Sequence, residues 1–424
     1  LTRFVDVLQE LTAETGLEYA TDDMSFAIAT LGCKVNQYES QLIREALVRE
    51  GRKEQDFSEP GAHWYIINTC TVTHRSDAQW RRLIRQALRN GGRVVVTGCG
   101  ATVYPEKIAS LSEKLDVAVF GRLGEIFGVE IPSRITSFSA HARAFVNIQQ
   151  GCNNFCSYCI VPHTRGLPWS RPYEEVISEI SSLEDAGYQE IVLTGINIGL
   201  YQGGLAHIIE RILVQTTIPR IRLSSVEPWT IDDRLIELVA GEKRVCDHIH
   251  LPLQSGCDKI LKLMGRPCGA SRYASILAQI RALSDSISIG SDIMVGFPTE
   301  TEHFFDQSFS FVEELPVTYL HVFPFSPRPG TRAFQLPGRP EAAVVRKRAS
   351  QFRELSLRKK REFMRRNLGR EKEALILKAE GEDVVGMTTN YLNVSVRGKA
   401  LPGQIRKVFI ETLDGDALKG RANE

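Results

Sequence analysis

Residues 151–159 read Gly-Cys-Asn-Asn-Phe-Cys-Ser-Tyr-Cys, and this CxxxCxxC run constrains the chain more than any other stretch. Three thiolates on so short a loop, those of Cys152, Cys156 and Cys159, can converge on one metal centre. Their number is informative. A structural zinc site takes four ligands in a closed tetrahedron, and an ordinary four-iron cluster takes a cysteine on every iron. A three-cysteine loop leaves one iron of such a cluster without a protein ligand, free to bind a substrate or cofactor. The competing reading is half of a zinc site completed by His163.

Composition frames that loop. A chain of 424 residues should hold roughly two to four domains. Its 43% hydrophobic and 24% charged residues describe a soluble globular protein. No apolar run reaches the ~20 residues of a membrane span, and no secretory leader pattern opens the chain. Nine cysteines make an odd count without small-scaffold spacing, so metal ligation is favoured over a disulfide framework. The expected compartment is the cytoplasm, with no membrane partner. The net charge of +1 hides an asymmetry. Between residues 343 and 372 twelve Lys/Arg face three Glu, a local +9 that leaves −8 for the rest.

Residues 1–23 form a polar extension with one amphipathic pattern (Phe4, Leu8, Leu11) and are assigned no role; Met24 is read as the natural start. Beyond it, apolar runs at 25–31, 64–68 and 93–97 alternate with helical periods at 40–50 and 76–88. That rhythm predicts an open α/β sheet with parallel strands, whose ligands gather at the strands' carboxyl ends. Cys33, Cys70 and Cys99 stand at those ends. They suggest a second three-ligand site, against the plainer reading of three buried, inert thiols. Gly32 and Gly98 beside two of them favour the site, because glycine allows close backbone approach. Arg75, Arg81, Arg82, Arg85, Arg89 and Arg93 suit either a phosphate backbone or a solvated helix face.

After Pro172, helix and strand alternate through 174–186, 190–194, 206–216, 220–223, 232–241, 248–251, 273–283, 289–295, 302–315 and 319–323. Polar strand ends follow at 193–197, 224–228, 250–256 and 292–298. Pro/Gly punctuation through Pro340 marks a linker. The basic 343–372 stretch, helical in period, then leads to a small all-β module with segments 373–379, 392–396 and 404–413.

The 151–159 run carries the spacing of the radical S-adenosylmethionine enzymes, and the stretch resembles that family. The resemblance implies that the open iron chelates S-adenosylmethionine, whose reductive cleavage gives a 5′-deoxyadenosyl radical. It also implies a partial (β/α)6 barrel for the core. A three-cysteine domain ahead of such a core is the pattern of the methylthiotransferases, so Cys33, Cys70 and Cys99 match the ligands of an auxiliary cluster. Residues 30–40, Thr-Leu-Gly-Cys-Lys-Val-Asn-Gln-Tyr-Glu-Ser, look most like the branch acting on threonylcarbamoyl-adenosine in tRNA. Asn36 would support that cluster or cap the following helix. Arg165 would lie near an anionic cluster or in a surface ion pair. Cys246, Cys257 and Cys268 match no ligand positions and are taken as structural.

Further expectations follow from the likeness. Two 4Fe-4S clusters and S-adenosylmethionine are the implied cofactors, with Thr194, Gly195, Asn197, Glu227, Gln254 and Gly296 as the S-adenosylmethionine site. The tail resembles the TRAM domain, a small RNA-binding β-barrel. The implied division is 24–137 for the auxiliary-cluster domain, 138–368 for the radical core and 369–424 for the TRAM-like module. The partners would be a tRNA anticodon loop, a reductase supplying electrons and a sulfur donor. The rivals act on isopentenyl-adenosine or a ribosomal protein. A rival of another class is a non-catalytic iron–sulfur RNA-binding or redox-sensing protein, which needs neither an open iron nor the polar strand ends.

Overall fold

The first sheet follows from short β-branched runs separated by amphipathic helices. In the computed structural model, which describes residues 24–139 and 141–422, β1 (Ser25–Thr30), β2 (Lys53–Glu54), β3 (Trp64–Thr69), β4 (Arg93–Gly98) and β5 (Leu115–Val117) pair in parallel. Their order is β2-β1-β3-β4-β5. The extension 1–23 lies outside the described residues. All six residues of β3 are buried, as expected of a strand covered on both faces. α1 (Lys34–Arg49) sets Ile43 and Leu47 against Phe26 and Val95 on one face. α2 (His74–Asn90) sets Trp80 and Ile84 against Tyr65 and Val94 on the other. The Thr73 hydroxyl caps α2 by accepting from Ser76 N at 3.2 Å. Three short helices follow: α3 (Cys99–Val103), α4 (Pro105–Ala109) and α5 (Leu123–Phe127).

The core runs from β6 (Ala144–Gln150) and α6 (Val161–Arg165) through β7 (Trp169–Ser170), α7 (Tyr173–Asp185), β8 (Glu190–Gly195), α8 (Leu205–Gln215) and β9 (Arg220–Leu223). It continues with α9 (Asp233–Gly241), β10 (His248–His250), α10 (Asp258–Met264), α11 (Ala270–Leu283), β11 (Ser288–Val295), α12 (Glu302–Glu314) and β12 (Tyr319–Pro324). The expected partial (β/α)6 barrel is corrected here. The strands form two open sheets, β7-β6-β8-β9 and β10-β11-β12, and the second does not close onto the first. Only the isolated bridges Ile221↔Val245 and Ser225↔His250 span the gap. The physical cause is local. β9 and β10 are four and three residues long, and the two bridges leave unequal stretches between them, 222–224 on one side and 246–249 on the other, so no regular ladder forms. β7 also pairs antiparallel with β6, so that sheet is mixed. One apolar core, including Val146, Leu193, Ile221, Ile249 and Ile293, nevertheless runs under both sheets.

The 25-residue α13 (Ala342–Arg366) buries Phe352 and Leu355 in that core and passes Phe363 and Met364 to the last module. There β13 (Glu371–Glu380), β14 (Asp383–Thr388), β15 (Asn393–Arg397), β16 (Ile405–Asp414) and β17 (Ala417–Ala422) pair in the order β13-β14-β15-β17-β16. β13 also pairs with β16, and β15–β17 is the parallel pair of this antiparallel set. Glu190, fully buried, fixes the module to the core. It pairs with Arg220 and Arg222 at 2.8 Å each, and both guanidiniums also donate to carbonyls of residues 387–389. Among the described residues no helix is long and apolar enough to cross a membrane.

Candidate active site

The first cysteine trio hangs from the end of β6. Gln149 Nε2 donates to the carbonyls of Gln150 and Gly151 at 2.7 and 2.9 Å, and its Oε1 accepts from Asn197 N at 2.8 Å. The loop's entry is thereby tied to the end of β8. Within the loop Asn154 Nδ2 donates to Cys156 Sγ at 2.7 Å, and Asn154 N points to Cys152 Sγ at 3.5 Å. Burial pushes the Cys159 thiol up to about 12, with Cys156 and Cys152 adding to the shift. Crowded sulfurs of this kind ionise when a metal supplies the missing positive charge.

The second trio assembles where β1, β3 and β4 end. Cys70 and Cys99 are buried and Cys33 is exposed as a residue, yet its thiol is raised by desolvation and feels Arg165, Cys99 and Cys70. A Cβ on Gly32, at φ +98, would lie 2.6 Å from Cys70 Cβ and 2.9 Å from its Sγ. Only a bare α-carbon permits that approach. Asn36 does not cap α1: its Nδ2 donates to Leu31 O and Thr69 O at 2.8 and 2.9 Å, pinning the two cysteine-bearing turns together. Arg165 Nη2 donates to Asn36 Oδ1 at 2.6 Å, and the guanidinium pairs with Glu39. It therefore serves the second trio rather than the loop it follows.

Donor sets of three thiolates are of the kind an iron–sulfur group takes. Among the described residues, the three ligand atoms lying within 4.8 Å of one another are those of His250, Asp292 and His321; neither cysteine trio, with or without His163, contracts so far. A zinc ion with bonds of roughly 2.0–2.3 Å draws its ligands together, whereas sulfurs on separate irons stand apart. Cys246, Cys257 and Cys268 are buried and free.

The expected S-adenosylmethionine residues divide. Asn197 is buried, and its carboxamide lies beside the Cys152 thiol. Glu227 acts on Cys152 and Cys159 and pairs with Arg266 at 2.7 Å. Gln254, at φ 80, buries an unpartnered Oε1. Gly195 lets β8 approach β6, since a Cβ there would lie 2.6 Å from Gln149 O. Thr194 is buried in β8 opposite Asn147. Gly296 packs against Val345 of α13, and its N–H donates to Glu300 at 2.8 Å; neither it nor Thr194 is brought to the loop.

Sequence reasoning missed Gln149 and Arg266. The latter holds Glu227, donates to Pro252 O at 2.5 Å and lies 4.4 Å over Trp229; only its place in Gly-Arg-Pro hinted at a role. Also missed was a cavity of about 260 Å³ lined by residues that include Lys34, Arg222, His250, Asp292, His321 and Tyr391. Burial works to raise the Asp292 pKa, but the imidazoles of His250 and His321, with ring nitrogens 3.2 and 3.3 Å from its Oδ1, hold the carboxyl well below the usual range.

Residues 146–312 match the Radical SAM superfamily, and residues 25–121 match Uncharacterized protein family UPF0004. The structure of the radical S-adenosylmethionine methyltransferase TsrM from Kitasatospora setae superposes with a TM-score of 0.55 at 14% identity, covering 74% of this chain and 77% of that one. Fold and sulfur sites thus define an iron–sulfur enzyme of the S-adenosylmethionine-dependent class. Threonylcarbamoyladenosine tRNA methylthiotransferase MtaB of Aquifex aeolicus (strain VF5) is 32% identical over 416 residues, 91% of this chain and 100% of the relative. The tRNA-2-methylthio-N(6)-dimethylallyladenosine synthase of Alkalilimnicola ehrlichii (strain ATCC BAA-1101 / DSM 17681 / MLHE-1) is 32% identical over 431 residues, 93% of this chain and 96% of that protein. The chain belongs to the radical S-adenosylmethionine tRNA methylthiotransferases, with the MtaB-type proteins among its relatives.

Proposed function

We propose that this chain adds a methylthio group to carbon 2 of N6-threonylcarbamoyladenosine at tRNA position 37. Two 4Fe-4S clusters would serve it, one on Cys152, Cys156 and Cys159 and one on Cys33, Cys70 and Cys99. The observation that carries this reading is the presence of two cysteine trios, one on the loop after β6 and one where β1, β3 and β4 end, in a chain that aligns with MtaB along its length. When bound, the clusters and S-adenosylmethionine supply a radical able to take hydrogen from an unactivated C–H bond, and the sulfur that replaces it. No side-chain base can do the first task, because that C–H bond is far too weakly acidic.

The chain's own residues hold and shield these groups. Asn197, Glu227, Gln254 and Gly195 would line the S-adenosylmethionine site, with Arg266 fixing Glu227 and Gln149 fixing the loop. Arg165 and Asn36 would orient the second trio. The proposed division is 24–137, 138–368 and 369–424, the last as a TRAM-like module. For the anticodon loop, exposed Arg75, Arg82, Arg85 and Arg89 of α2 offer cations that have no ion pair among the described residues. Their neighbour Asp77 is turned inward to Arg328 at 2.6 Å. α13 contributes less than its charge suggests, since Arg348, Arg358, Arg361 and Arg366 pair within the chain. A reductase and a sulfur donor complete the partners, and the setting is the cytoplasm.

Anaerobic reconstitution should give about eight irons, four per cluster. The variant Cys33→Ala should still cleave S-adenosylmethionine to 5′-deoxyadenosine but not methylthiolate; retained methylthiolation would contradict the sulfur-donor role. Mass spectrometry of tRNA nucleosides from cells lacking the gene should show the threonylcarbamoyl precursor accumulating. The equal identity to the dimethylallyladenosine enzyme supports isopentenyl-adenosine as the second reading. Loss of its methylthio form instead would decide for it.

A further inference from the structure

Lys34 begins α1 directly after Cys33 and lines the cavity that also holds Asp292 and His321. Among the described residues its ammonium has no hydrogen-bond or ion-pair partner. Of the charged side chains that line the same cavity, Arg143 and Arg222 bear on it with the wrong sign to provide one. These two share the Glu190 carboxylate with Arg220, so three guanidiniums face one acid. The other acid, Asp292, is engaged by His250 and His321. Lys34, Arg143, Arg220 and Arg222 against Glu190 and Asp292 leave two positive charges uncompensated. Excess positive charge in a partly buried cavity is costly, and an anion entering the cavity would relieve it.

Position makes this the place for a reacting base. Lys34 follows Cys33 directly in the chain, and Ser225, two residues before Glu227, lines the same cavity. Tyr319 and Tyr391 wall the cavity, and His321, 58% exposed, stands at its open side.

We propose that this cavity receives the carboxylate of the substituent on the adenine N6, and that Lys34 selects for it. The assignment rests on the methylthiotransferase reading above. A carboxylate would accept from Lys34 in a charge-assisted bond. A neutral isopentenyl group would leave the ammonium unpaired, which is how a buried polar group rejects a substrate lacking its partner. A backbone phosphate offers similar chemistry, so the test must separate the two.

Three anticodon stem-loop RNAs that differ only at position 37 would be compared: adenosine, N6-threonylcarbamoyladenosine, and the methyl ester of the latter. Binding to the reconstituted holoenzyme, without reductant, would be followed by fluorescence anisotropy at one salt concentration. The acid should bind about tenfold or more tightly than its ester, the loss expected for one hydrogen bond to a charged group. Lys34→Met should bring that ratio near one, and Lys34→Arg should keep it. A Lys34→Met variant that retains the ratio overturns the assignment. So does one that weakens all three RNAs equally, since the anion is then phosphate. A parallel turnover assay separates the levels. A wild type that methylthiolates threonylcarbamoyl RNA but shows no acid-over-ester preference overturns only the role of Lys34. One that methylthiolates only isopentenyl RNA overturns the substrate reading too.

Discussion

Arg165 pairs with Glu39 across the boundary between the cluster loop and α1, and both side chains are nearly buried. Its attachment to Asn36 places its charge beside Cys33 and Cys99. Removing it by Arg165→Met would leave the Glu39 carboxylate buried without its cation, at a cost of about 3–5 kcal/mol. We expect iron and sulfide to fall at the second site while S-adenosylmethionine cleavage persists, as read by iron analysis and 5′-deoxyadenosine formation. Loss of cleavage to the same degree would show that Arg165 supports the whole fold instead. The sequence disclosed the type of this residue but not its target, because Glu39 lies 126 positions away.

At the scale of elements, the turn after β1 is the tightest point near the second trio. Gly32→Ala would meet Cys70 at 2.6 Å and also strain a backbone held at φ +98. Gly91, at φ +93, ends α2 with nothing near its absent Cβ. Gly91→Ala should therefore cost only the left-handed strain, roughly 1–2 kcal/mol, and leave iron content intact. Gly32→Ala should lose both stability and second-site iron; equal behaviour of the two variants would show that close packing at Gly32 is unimportant. The strands of the first sheet were legible because each is a short apolar run between polar helices. β6, which carries the cluster loop, was not, since Ala144–Gln150 ends in polar residues that satisfy one another only after folding. α1 likewise extends back to Lys34, six residues before its expected start. The buried Asn36 and Glu39 there find a partner in Arg165, and Tyr38 finds Glu179 and Arg171.

For the whole molecule, Glu190 joins the core to the last five strands through Arg220 and Arg222. Burial acts to raise its pKa, but the two guanidiniums prevail and lower it from 4.5 to about 2. A carboxylate depressed in the folded state contributes stability above its unfolded pKa and loses it as pH falls. This contribution should be complete above about pH 4.5 and vanish toward pH 2. Glu190→Gln should lower the denaturant midpoint by an amount equivalent to about 3–5 kcal/mol at neutral pH, and the gap from wild type should narrow on acidification. A gap independent of pH would mean that shape, not charge, is what Glu190 provides.

The spacing of the cysteines and the alternation of the strands are local properties of the chain, so the sulfur trios and the parallel first sheet could be read from the sequence. Sheet closure depends on whether two strand edges meet, and short β9 and β10, joined only by isolated bridges, leave the core as two sheets. The charge in the cavity likewise belongs to no single stretch. Lys34, Arg143, Arg222 and Asp292 come from distant positions, and only tertiary packing decides which cation is left without a partner.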